Sequence, residues 1–270
     1  MPVSLDQIVA ATRARVAKGR RTADVRLLER RAQEHVPRGF RRALQAKSGS
    51  AIAIIAELKK ASPSRGLMRA DFDPETLAHE LEKAGAAALS VLTDEEFFHG
   101  SLDNLRQASS ATRLPCLRKD FIVDEFQLLE ARACCADAAL LIVAALSQPE
   151  LLNLVRRARE FEVDVLCEVH DEEELQRAVD SGCDLIGVNN RDLRTFEVNL
   201  QTALRLAEQM PKNIVRVAES GIRSGDDITR LSAAGYHAFL IGESLMKAAD
   251  PGAALRDLLS EASRIPSAAS

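Results

Sequence analysis

The 270-residue chain has no tryptophan and one tyrosine, Tyr236, and aromatic residues make up only 4% of it. Aromatic platforms for unpaired bases are therefore scarce. Lys and Arg (36) fall short of Asp and Glu (40), for a net charge of −4. That leaves no basic face for a phosphate backbone, and no nucleic-acid partner is expected. No apolar run approaches the roughly 20 residues that cross a bilayer. The start, MPVSLDQIVAATRARVAKGR, carries charges where a signal peptide has an apolar stretch. The expectation is no membrane partner and a cytoplasmic location. Paired-cysteine spacing is missing as well: Cys116, Cys134, Cys135, Cys167 and Cys183 are odd in number and contain no CxxC. They read as reduced, mostly buried thiols. His35, His79, His99, His170 and His237 show neither HxxxH nor HxH spacing, so no metal site is expected.

What the chain does have is an alternation. Hydrophobic residues form 46% of it, and from residue 51 onward short apolar runs alternate with amphipathic segments. The runs are AIAIIAE (51–57), AALSVLT (87–93), PCLRK (115–119), AALLIVAA (138–145), VDVLCEV (163–169), LIGVNN (185–190), IVRVAES (214–220) and HAFLIGE (237–243). Continuous apolar character marks strands buried on both faces. Between them, DPETLAHELEKAG offers Asp73 as a helix N-cap with Pro74 in the first turn, and SQPELLNLVRRAREF offers Ser147 and Pro149.

Strand ends recur about every 26 residues, the length of a strand, a helix and two short connections. Eight right-handed parallel crossovers of this size are best satisfied by closure. The expected fold is α/β, a (β/α)8 TIM barrel. An open doubly wound sheet is the alternative, but its nucleotide-binding forms want a GxGxxG loop that AELKKASPSRG does not supply. Two polar, Arg-rich helices, LDQIVAATRARVAKGRR and VRLLERRAQEH, precede the barrel. Residues 1–46 are thus expected to be an N-terminal helical extension packing on a catalytic barrel of residues 47–270. Little chain follows the eighth helix, so no second fused catalytic barrel is expected.

In such a barrel the strand ends converge on one face, where active sites lie. That face would collect Glu57, Lys59, Lys119, Glu168, Asn189, Arg191, Glu219 and Ser220. Several of these charges sit inside or at the edge of apolar runs, where an unpaired charge is costly. Strand seven ends in Glu219-Ser220-Gly221 and strand eight in Ile241-Gly242-Glu243-Ser244. This placement matches the barrel phosphate site built from the last two loops. With Lys59, Lys119 and Arg191 at the rim, the expected partner is a small anionic phosphorylated substrate. The carboxylates would position cations, bind hydroxyls or transfer protons. The segment SPSRGLMRADFDP, within residues 62–74, holds Pro63 and Gly66 and could close over substrate as a mobile lid.

At these residues the sequence closely resembles the indole-3-glycerol phosphate synthase family. The matching motifs are IIAELKKASPSRG (54–66), SVLTDEEFFHGS (90–101), LRKDFIVDEFQ (117–127), LCEVHDEEEL (166–175), IGVNNRDLRTFEV (186–198), VAESGI (217–222) and FLIGESLM (239–246). The resemblance implies ring closure of 1-(2-carboxyphenylamino)-1-deoxyribulose 5-phosphate with loss of CO2 and water, as a carboxy-lyase of tryptophan biosynthesis without cofactor or metal. It also implies that Lys119 is the condensation acid and that Glu168 is the acid or base of dehydration. Lys59, held by Glu57, is an alternative acid, and Asn189 and Glu219 orient substrate and charges. Ser62, Ser220, Gly221, Gly242 and Glu243 fall in the phosphate region, with Lys59 in reach. Phe97, Phe121, Leu140 and Leu193 would pack the aromatic ring. Contacts with other enzymes of that pathway leave no motif in the chain. Two other functions compete: a Schiff-base aldolase with Lys59 or Lys119 as nucleophile, and a catalytically silent barrel that binds a metabolite or a protein.

Overall fold

A computed structural model describes residues 4–264 apart from residues 50, 64 and 194. The eight apolar runs form eight parallel strands: β1 (Ala53–Leu58), β2 (Ala88–Leu92), β3 (Cys116–Lys119), β4 (Ala138–Ile142), β5 (Asp164–Val169), β6 (Leu185–Asn189), β7 (Val215–Glu219) and β8 (Ala238–Ile241). They pair in chain order, and β8 closes on β1 with Ile55 opposite Leu240. The structure is the expected TIM barrel. The fourth apolar run reads longer than its strand, because Val143–Ala145 leaves β4 as a single 3-10 turn.

Side chains on a strand alternate between faces, so each strand feeds two cores. Ile54, Ala56 and Leu58 of β1 face outward into the layer shared with the helices. Ala53 and Ile55 face inward, with Leu117, Leu140, Leu166, Leu185, Val217 and Leu240 from the other strands. The helices start as their sequences direct. Asp73 caps α4 (Pro74–Lys83) by accepting from the Glu75 and Thr76 amides. Ser147 and Glu150 form a capping box on α5 (Gln148–Glu160).

The N-terminal segment holds three helices where the sequence suggested two: α1 (Leu5–Thr22), α2 (Val25–Glu34) and α3 (Phe40–Ser48). A division after residue 46 falls inside α3. That helix escaped notice because it opens on Gly39, at φ 77, with no side-chain cap hydrogen bond. Phe40 and Leu44 are fully buried in the inner core, closing the barrel at the strand N-termini. At the opposite end, Leu5 and Ile8 of α1 reach the rim where the strands finish. The segment therefore touches both ends of the barrel.

Candidate active site

The inward-facing series on the strands turns polar at its last step. Two residues beyond inward Ile55, Leu117, Leu166 and Val217 stand Glu57, Lys119, Glu168 and Glu219, with Asn189 on β6 joining the same layer. The period of two that builds the inner core also aims these groups at one point. Glu57, Glu168 and Glu219 are 4%, 2% and 1% exposed, so their charges depend on one another.

Lys119 is the hub. Its Nζ donates to Glu168 Oε2 at 2.9 Å and to Glu219 Oε2 at 2.7 Å. Asn189 Nδ2 donates to Glu168 Oε1 at 3.1 Å, and Lys59 pairs with Glu57. Burial works against the Lys119 cation, but the carboxylates of Glu168, Glu219 and Glu57 outweigh it and hold its pKa well above the usual lysine range. Burial likewise opposes the Glu168 anion, yet Lys119 and His170 hold this carboxyl below the usual range. Glu219 differs. Burial, reinforced by the Glu168 charge, pushes it up to about 7 despite Lys119. Its Oε1 has no hydrogen-bond partner. Glu168 and Glu219 are thus pushed in opposite directions although both touch Lys119.

Two glycines make room for the carboxylates. A Cβ on Gly187 would lie 2.1 Å from Glu219 Oε1, and one on Gly242 would lie 2.3 Å from Glu57 Oε1. Ser220 and Gly221 are both left-handed, at φ 64 and 80, which turns the chain sharply after β7. Gly221 is also sterically required, since a Cβ there would meet Val198 Cγ1 at 2.4 Å.

All the site residues named from the sequence except Phe97 line one cavity of about 350 Å³. Phe121, Leu140 and Leu193 supply apolar wall; Ser220 and Gly221 after β7, Gly242 and Glu243 after β8, Arg191 after β6 and Ser62 after β1 supply polar groups to the same cavity. The Glu243 side chain is taken up by cations. It accepts from Lys247 at 2.6 Å and lies 3.2 Å from Arg65 and 3.6 Å from Arg191. Phe97 is the exception. Residues Glu95–Phe98 form one short helical turn capped by Asp94. Neighbours on a helix point about 100° apart, so Phe98 lines the cavity instead, 6.2 Å from the Phe121 ring.

Sequence reasoning missed Leu5 and Ile8, whose spacing along α1 was the available signal. It also missed Arg15 of α1, which donates to the buried Asp94 at 2.9 Å and lies 3.5 Å from Asp120, next to Lys119. Among the described residues, no cluster of His, Cys, Asp or Glu could hold a metal ion.

The family model described as indole-3-glycerol phosphate synthase matches residues 5–258. A relative of that name from Koribacter versatilis (strain Ellin345) is 58% identical over 259 residues, covering 96% of this chain and 100% of its own. Another of that name, from Leptothrix cholodnii, is 48% identical over 256 residues, covering 94% of this chain and 98% of its own. Among solved structures, a 3-hexulose-6-phosphate synthase superposes with a TM-score of 0.62 at 14% identity, covering 78% of this chain and 99% of that one. Thiamine phosphate pyrophosphorylase from Pyrococcus furiosus gives 0.60 at 17%, covering 78% and 96%. Similarity at that level is similarity of fold alone.

Proposed function

The chain belongs to the indole-3-glycerol phosphate synthase family, and from that premise we propose how its polar layer closes an indole ring. The substrate is 1-(2-carboxyphenylamino)-1-deoxyribulose 5-phosphate. Its aryl carbon bearing the carboxylate attacks the ketone, and Lys119 protonates the alkoxide that develops. CO2 then leaves and restores the aromatic ring. In the dehydration the new hydroxyl departs as water with a proton from an acid, while Glu168 takes a proton from the carbon beside the nitrogen. Lys59, paired with Glu57, is a second acid within the same cavity.

The observation that carries this reading is the Lys119 ammonium fixed between Glu168 and Glu219 beside an apolar wall. The flanking carboxylates keep this amine protonated at neutral pH, so it has a proton to give to the alkoxide. It lacks the free lone pair that imine formation demands, which weighs against the aldolase alternative. Phe98, Phe121, Leu140 and Leu193 would pack the aryl ring. The Ser220-Gly221 and Gly242-Glu243 turns with Ser62 would receive the phosphate, and Lys59 and Arg191 would balance its charge.

The loop after β1 carries a two-stranded hairpin, Ala61–Ser62 with Gly66–Leu67. Its Arg65 pairs with Glu243 just past the adjacent strand β8, a tie across the rim that supports a role in closing over bound substrate. Residues 1–46 then belong to the working unit, because α1 supplies part of the cavity wall. Among the described residues no helix is long and apolar enough to cross a membrane. The five free cysteines fit a reducing, cytoplasmic setting.

The test is incubation with the carboxyphenylamino substrate while indole fluorescence is followed. The chain has no tryptophan, so indole emission reports product. No signal at ample enzyme overturns the reading.

A further inference from the structure

His170 follows β5 directly, yet it does not line the cavity. It sits behind Glu168, between two carboxylates. Nδ1 is 2.9 Å from Glu174 Oε2, and Nε2 is 3.5 Å from Glu168 Oε1. Glu174 is itself fixed, in the first turn of α6 (Glu172–Asp180). Its Oε2 also accepts the His170 backbone N–H at 2.9 Å, and its own N–H donates to the Asp171 cap at 2.9 Å. The imidazole is therefore anchored from its far side by the start of a helix.

The ring's charge follows from these neighbours. Nδ1 faces an acceptor and must carry a hydrogen. Nε2 is buried without a hydrogen-bond partner, and it faces the Glu168 carboxylate. A lone pair there would oppose a negative charge, whereas a second N–H is attracted to it. The other groups on Glu168 are the Lys119 ammonium, the Asn189 amide and, across Lys119, the Glu219 carboxyl.

We propose that His170, clamped by Glu174, is a positioning residue for Glu168, its imidazolium fixing and keeping ionised the carboxylate that takes the dehydration proton. This rests on the assignment of Glu168 as that base. The need for it arises within the cycle. When Lys119 gives its proton to the alkoxide it becomes neutral, and His170 is then the cation that remains in contact with Glu168. Burial disfavours the imidazolium, but Glu168 and Glu174 together hold its pKa up to about 10, so it stays charged at neutral pH.

The test uses the full chain in two readouts. In enzyme labelled with 15N-histidine, the signal lost in His170→Gln should show both ring nitrogens protonated at pH 8; a neutral ring overturns the proposal. In turnover, His170→Gln keeps an amide donor without charge. It should lower kcat by about tenfold or more, with KM little changed, a smaller loss than the roughly 10²- to 10⁴-fold of removing the base itself, because the carboxylate is still present. Because a lost cation raises the Glu168 pKa, the acid limb of the kcat profile should move to higher pH. A wild-type acid limb overturns the clamp even if kcat falls. Should that variant not fold, Glu174→Gln serves: the His170 titration should drop and the same limb should move, and neither shift occurring overturns the idea. A wild-type enzyme that forms no indole removes the base role from Glu168, while the nitrogen signal still judges the clamp by itself.

Discussion

Gly187 of β6 lies against the Glu219 carboxylate of β7, so closely that a Cβ on Gly187 would stand 2.1 Å from Oε1. The neighbouring strand leaves space for a buried acid, and that acid holds Lys119. Gly187→Ala should therefore push the carboxylate away from Lys119 while the barrel survives, overpacking of this kind costing about 1–3 kcal/mol. The expected result is a clear loss of kcat with a modest drop in melting temperature. Wild-type kcat in this variant would show that Glu219 need not sit where it does.

Lys119→Ala and Glu168→Gln should each lose about 10²- to 10⁴-fold in kcat, the usual contribution of general acid–base catalysis. Both should retain the circular dichroism of the folded barrel. Turnover near that of the wild type in either variant removes the residue from the proton transfers.

Glu219 makes stability depend on pH. Its carboxyl titrates at about 7 when folded against an ordinary 4.5, so between those values the folded protein keeps a proton that the unfolded chain has lost. The group's contribution is complete below 4.5 and is lost as pH rises through 7. Glu168 runs the other way, but its folded pKa lies below the usual carboxylate range, so its gain is in place above that range. The Tm advantage of the wild type over Glu219→Gln should accordingly shrink between pH 5 and pH 7. A constant difference across that interval would contradict the raised pKa.

At the opposite end, Phe40 is fully buried in the inner core. Phe40→Ala should destabilise the barrel by about 3–5 kcal/mol, the cost of emptying a large core site. Because the polar layer lies at the other end, kcat measured where the variant is folded should be unchanged. Denaturant unfolding with parallel kinetics checks both halves of that statement.

Much of this architecture is local information. Eight apolar runs at regular spacing encode eight strands, and the period of two running from Ile55 to Glu57, or from Leu166 to Glu168, already aims an acid at the barrel axis. Asp73, Pro74, Ser147 and Glu150 likewise encode helix starts through hydrogen bonds within a few residues. Where local rules run short, the sequence misleads. Phe97 and Phe98 are equivalent in composition, and the orientation of one helical turn separates them; α3 opens on a glycine and takes its place by plugging the barrel.

The sequence by itself therefore determined which residues are strands and which strand ends carry charge, because hydrophobic period and capping act between near neighbours. Only the tertiary structure decided that Lys119 stands between Glu168 and Glu219, 49 and 100 positions away, and that His170 backs Glu168 from outside the cavity. Partners and protonation states depend on closure of the barrel, which brings distant charges together in a buried setting where each fixes the ionisation of the others.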